Sequence, residues 1–404
     1  MNPLVSLVIA LTLAIVLLRK RINIGISLLV SSIVYGLLAV PLNLLPTSSF
    51  DAIFSKITLS LFISLISALY IAFLLGRLGV LDKVTELFKS IGYNAAALGI
   101  PPSIGLLPMP GGALVSAIML KDVLLKDLRL EKGLAVFTNY WFRHILVPVW
   151  PLYQALLITA AILAVDVSKI IYSTWPASLA SIMAGLAIYL VGLKKTAKPR
   201  LNTSKIGDKD RAKYFVEGFT PFLLVAVLVI GLKIKVWIAL PIVALVTTII
   251  YKARREYIKY AVTKALDPEI LAIIAASMFF REYITISKAN LMLLEAIGKA
   301  GIPVEAIVFI IPFIMGFISG GELGFAALSM PLLAGIIGLG DNINAELLLL
   351  AFGGGYIGVL SSPLHLCFIL TLKHYETRFR EAYKYIIIGA LLTTIIMTIY
   401  VALV

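Results

Sequence analysis

The chain has 404 residues, of which 61% are hydrophobic and 14% charged, and its mean hydropathy is +1.03. So few charged groups cannot cover a soluble domain of this length, so a polytopic membrane protein is expected. The formal charge of +14 does not point to nucleic acid, because the basic residues stand in short loops between apolar runs, where they orient a chain in a bilayer.

The chain opens on a spanning helix rather than a cleaved signal. Met1–Leu18 has no basic residue ahead of its apolar run, and Arg19-Lys20-Arg21 follow directly, the reverse of a secretory signal. Apolar runs near the ~20 residues that cross hydrocarbon then recur. Spans are predicted at about 3–18, 22–40, 56–76, 133–164, 171–192, 214–231, 236–251, 266–285, 346–372 and 385–403. Between the third span and the next apolar segment, 80–91 interleaves Lys83, Glu86 and Lys89 with Val84, Leu87 and Phe88, the pattern of an interfacial amphipathic helix. The polar stretch 194–213 reads as a basic linker.

Two apolar segments, 93–120 and 303–335, are not ordinary crossings. The first carries Pro101, Pro102, Gly105, Pro108, Pro110, Gly111 and Gly112, and the second Pro312, Gly316, Gly320, Gly321 and Gly324. Proline removes a backbone donor and glycine weakens helix, so each segment should break near its middle and turn back as a re-entrant hairpin. Spans 133–164 and 346–372 are expected to be interrupted, at Trp141–Pro151 and Gly353–Pro363. Lys and Arg on alternate sides of this scheme number 27 and 6, which predicts a plasma-membrane protein with both termini outside.

The halves 1–193 and 214–404 resemble each other. Displaced by 209 positions, Glu86 meets Glu295, Gly92 meets Gly301, and Gly111-Gly112 meet Gly320-Gly321. Displaced by 212, Ile145, Val147, Pro151 and Leu152 meet Ile357, Val359, Pro363 and Leu364. Five crossings per half is an odd number, so the halves should be inverted repeats, each with a hairpin and a discontinuous helix. The predicted fold class is therefore an all-α polytopic membrane protein of about ten transmembrane helices. Paired hairpins and inverted five-crossing halves resemble the ion transporter superfamily, which includes gluconate, dicarboxylate, citrate and lactate permeases. Gly105–Gly112 (GLLPMPGG) is similar to an uncharacterised family of prokaryotic integral membrane proteins placed within that superfamily. The resemblance implies a homodimer with a fixed scaffold and a mobile, elevator-like transport domain. Pro108–Gly112 and Ser319–Glu322 stand where sodium-coupled dicarboxylate members carry a Ser-Asn-Thr motif.

Hairpin tips and helix breaks expose backbone groups at mid-membrane, where half-helix N-termini favour anions and free carbonyls favour cations. The candidate tip residues are Pro108, Pro110, Gly111 and Gly112 in the first half, and Ser319, Gly320, Gly321 and Glu322 in the second. The interrupted spans add Arg143, His144, Gly354, Gly355, Ser361, Ser362 and His365. Arg143 and Glu322 are the deepest charges, which default to a functional role or to pairing with each other. Tyr153 and Tyr356 stand at the repeat-equivalent places of His365 and His144, as substrate donors or packing groups. The single cysteine, Cys367, excludes an internal disulfide and a CxxC site. No HExxH, P-loop or GxSxG pattern occurs, so neither an enzyme nor a resident cofactor or metal is expected. The function predicted is ion-coupled secondary transport of a small organic anion, with Na⁺ or H⁺ as the coupling ion, and a passive channel as the alternative.

Overall fold

The computed structural model describes residues 1–20, 22–109, 112–194 and 207–404, and among them the chain is all-helical, with no strand. The first half runs α1 (Pro3–Arg19), α2 (Ile24–Ala39), α3 (Leu45–Phe54), α4 (Lys56–Arg77), α5 (Val80–Ile91), α6 (Tyr93–Gly105), α7 (Gly112–Asp122), α8 (Lys132–His144), α9 (Gln154–Leu163) and α10 (Val167–Leu193). The second runs α11 (Asp208–Val225), α12 (Val236–Ile250), α13 (Arg255–Ala265), α14 (Pro268–Ser287), α15 (Ala289–Ala300), α16 (Val304–Ser319), α17 (Glu322–Ile337), α18 (Ala345–Ser361), α19 (Leu366–Tyr375) and α20 (Phe379–Leu403). Six helical stretches are long and apolar enough to cross a membrane: Lys56–Arg77, Val167–Leu193, Asp208–Gly231, Arg255–Ser287, Ala345–Tyr375 and Phe379–Leu403.

Local chemistry sets the helix starts. Asn2, Asn23, Ser55, Asp267 and Asn344 each accept a backbone N–H of the helix they precede, satisfying donors that a helix start leaves orphaned. The amphipathic stretch 80–91 is α5, and its Lys83 pairs with Glu217 of α11. Segment 93–120 holds α6 and α7, with 106–109 outside both helices. Segment 303–335 is α16 and α17, broken at Gly320-Gly321. Span 133–164 divides into α8 and α9 around 145–153, where Pro148 and Pro151 prevent continuation. Span 346–372 divides into α18 and α19 around 362–365, at Pro363.

Four elements differ from the reading of the sequence. The short helices α3 and α13 fall in stretches taken as connections, and their faces are covered by α14 and α4 respectively. The last part of the expected linker, 208–213, is the start of α11, while 195–206 lie outside the described residues. Gly353–Gly355 do not loosen their helix but lie inside α18. A Cβ on Gly354 or Gly358 would collide with the carbonyl of Phe309 or Phe313, and one on Gly316 with the carbonyl of Gly355. Glycine at these places lets α16 and α18 pack backbone against backbone, which outweighs its poor helix propensity.

Two bodies of packing result. One joins α1, α2, α3 and α14, with α4 laid against α12 and α13. The other gathers α6 to α10 and α16 to α20, and holds both hairpins and both broken helices.

Candidate functional site

The last two turns of α8 are polar and aromatic yet wholly buried: Asn139, Tyr140, Trp141, Arg143 and His144. They face the end of α6, whose terminal carbonyls have no helical partner. Side chains from α8 and the following break supply the donors. The Tyr153 hydroxyl donates to the Gly105 carbonyl at 2.7 Å, and the Trp150 indole to Leu106 at 2.9 Å. Arg143 Nη2 reaches the carbonyls of Leu107 and Met109 at 3.4 and 3.3 Å. Gly105 and Gly112 are needed here for space, since a Cβ on the first would strike the Arg143 carbonyl and one on the second its guanidinium.

The second hairpin is closed in the same manner by the α18–α19 break. The Ser362 hydroxyl donates to the Phe317 carbonyl at 2.6 Å, and His365 Nδ1 lies 2.9 Å from the Gly320 carbonyl. Gly320 turns the chain with φ of 62°, and Ser319 bonds across the tip to the Gly321 carbonyl at 3.1 Å. Ser361 ends α18, and its carbonyl accepts from Tyr383 at 2.8 Å.

The two closures meet. His144 Nε2 lies 3.2 Å from His365 Nε2, and Arg143 Nη1 lies 3.5 Å from the same His144 nitrogen. Cys367, in the first turn of α19, brings its sulfur to the pair. The two ring nitrogens and the sulfur all lie within 4.8 Å of one another, and all three residues are buried. Among the described residues this is where a metal ion could be held. The Tyr140 ring packs on both imidazoles, with its hydroxyl donating to Leu360 at 3.0 Å.

Arg143 is 3% exposed, its Nε has no hydrogen-bond partner, and it forms no ion pair with a carboxylate among the described residues. The structural alternative raised by the sequence, an Arg143–Glu322 ion pair, is therefore absent. Glu322 opens α17 within electrostatic range of Arg143, His365 and Cys367. A buried guanidinium with a free donor and no carboxylate in direct contact is costly, by about 2.5–3.5 kcal/mol on insertion scales, which is a reason to seek a ligand for it.

A family profile described as "Protein of unknown function (DUF401)" matches residues 3–404. The chain belongs to the DUF401 family. No curated protein matches it. In this DUF401 chain the structure brings Arg143, His144, Ser362, His365, Ser319, Gly320, Gly321 and Glu322 to one region, with Gly112 against Arg143. Pro108 stands on the first tip, whereas Pro110 and Gly111 lie outside the described residues. Gly354 and Gly355 are turned instead to the α16 backbone and the Phe325 ring. Sequence reasoning missed Cys367 and Trp150 as members of the site. The signal for Cys367 was its position two residues after His365, just past a proline break.

Proposed function

We propose that this DUF401 chain is an ion-coupled secondary transporter of a small organic anion. In this reading it is built from two inverted five-crossing repeats and works as a homodimer by elevator-type alternating access, without covalent chemistry. The observation that carries the reading is Arg143: a permanent cation, buried, lacking a carboxylate partner, placed where both helix breaks and both hairpin tips meet. Its planar fork suits a carboxylate bidentately. Broken helices that meet at membrane depth are tolerated where they line a transport path.

Two further observations support the reading. Trp150 and Ser362, and likewise Tyr153 and His365, are displaced by the 212 positions of the repeat, and all four serve the terminal carbonyls of a hairpin helix. A separate cavity of about 510 Å³ lies between α4, α9, α10 and α12. Lys56, Lys169 and Lys235, three of the few basic residues assigned to the outer side, line it with Asp166 and Asp341. With Lys169 paired to Asp341, the three lysines outnumber the two aspartates by one, a small positive excess that would favour entry of an anion. The cavity also lies between the two packed bodies, where an elevator motion would open it.

Reconstitution into proteoliposomes tests the reading. Uptake of labelled organic acids should saturate, should be driven by an imposed Na⁺ or pH gradient, and should show counterflow. Glu322→Gln should remove a pH-driven component while leaving counterflow measurable. Flux that neither saturates nor responds to a gradient would reverse the reading in favour of a passive channel.

A further inference from the structure

We propose that His144, His365 and Cys367 form a buried binding site for a thiophilic transition-metal ion of the zinc class. The inference stands on the geometry of these side chains and does not depend on the transport reading. The chain has three histidines and one cysteine among 404 residues, and two of the histidines and the cysteine converge from places 221 positions apart.

The tautomers decide what the cluster can do. His144 Nδ1 lies 2.7 Å from the Tyr140 carbonyl and His365 Nδ1 lies 2.9 Å from the Gly320 carbonyl. A carbonyl only accepts, so each Nδ1 carries a proton and each neutral ring presents an Nε2 lone pair. Those two nitrogens lie 3.2 Å apart, and without an electropositive group between them their lone pairs repel. A proton on one ring, or the Cys367 thiol hydrogen, can relieve that repulsion, whereas a metal ion engages both nitrogens and the sulfur at once.

The distances fit. Zinc–nitrogen bonds of about 2.0–2.1 Å at a tetrahedral angle put two ligand nitrogens about 3.4 Å apart, close to the spacing seen here. Backbone carbonyls on the far nitrogens are the usual outer-shell orientation of metal-binding imidazoles. Nitrogen and sulfur ligands without a carboxylate exclude magnesium and calcium, which take oxygen. Arg143 does not claim the His144 lone pair, since 3.5 Å is too long for a good hydrogen bond. Its charge is opposed by a metal-bound Cys367 thiolate and by the Glu322 carboxylate nearby. Three protein ligands leave one coordination position open.

The experiment uses the full chain in detergent, without a polyhistidine tag and in thiol-free buffer. After incubation with Zn²⁺ and removal of excess, elemental analysis should find one zinc per chain. Loaded with Co²⁺ instead, the protein should show tetrahedral ligand-field bands and a sulfur-to-cobalt charge-transfer band. Cys367 is the only cysteine, so that band reports on it alone. Cys367→Ser should erase the charge-transfer band. His144→Ala and His365→Ala should each weaken binding by roughly a hundredfold or more, since even outer-shell changes cost about 10–100-fold. His374→Ala should change nothing. A monodisperse wild-type protein that retains no zinc and shows no charge-transfer band with cobalt would overturn the site, whatever the variants do. So would bands that persist unchanged in Cys367→Ser and His365→Ala.

Discussion

The two hairpin tips are closed by the same device with different materials. At the first, the carbonyls of Gly105, Leu106, Leu107 and Met109 are met by large donors: a guanidinium, an indole and a phenol. At the second, α16 and α17 are joined by Gly320-Gly321 alone, so α18 approaches closely and a serine and an imidazole suffice. The choice of donor decides the electrostatics, because the first closure puts a permanent cation at the centre and the second an imidazole beside Glu322. Two closures of one kind thus make a site of mixed charge.

The largest effect should come from removing that asymmetry. Arg143→Lys keeps the charge but loses the fork, and should weaken apparent substrate affinity by roughly thirtyfold, about 2 kcal/mol, while the protein still folds. Uptake kinetics and thermal unfolding of the same preparation separate the two. If Arg143 serves only to balance Glu322, then Arg143→Gln with Glu322→Gln should restore transport lost in each single variant. Restoration at unchanged affinity would reduce the first tip to scaffold.

A smaller effect sharpens the reason the second tip can be short. Gly354→Ala and Gly358→Ala place a methyl against the Phe309 and Phe313 carbonyls, which are backbone and cannot step aside. Each should destabilise by about 1–3 kcal/mol in thermal denaturation. Gly298→Ala, in α15 with open space around it, should be neutral or slightly stabilising. Equal behaviour of the three would mean that the α16–α18 contact does not depend on glycine.

The smallest effect compares the closures bond for bond. Tyr153→Phe and Ser362→Ala each delete one hydroxyl donor, at 2.7 and 2.6 Å, and leave a buried carbonyl short of a partner. Each should cost about 1 kcal/mol. A loss in one variant and none in the other would break the equivalence of the two tips.

Much of the frame was legible in residue order because proline and glycine act locally. Pro148, Pro151, Pro363 and Gly320-Gly321 stand at helix breaks, whereas Pro101, Pro102 and Pro312, also expected to break their segments, are carried inside α6 and α16. The amphipathic period of 80–91 likewise marked α5. The long apolar runs marked helices able to span a bilayer. Other features depended on partners far along the chain. Gly353–Gly355 read as loose because glycine is a poor helix former, but they lie inside α18 packed against Met397, the Phe309 carbonyl and the Phe325 ring respectively, groups remote in the sequence. For Arg143 and Glu322 the sequence left a functional role and mutual pairing both open, and only the fold shows that the carbonyls of the first tip, not Glu322, hold the guanidinium. His144 stands 221 positions before His365, so no local motif joins it to His365 and Cys367. They meet because two helix ends, from opposite halves, are brought together by the hairpins they close, and contact between distant segments leaves no local trace in sequence.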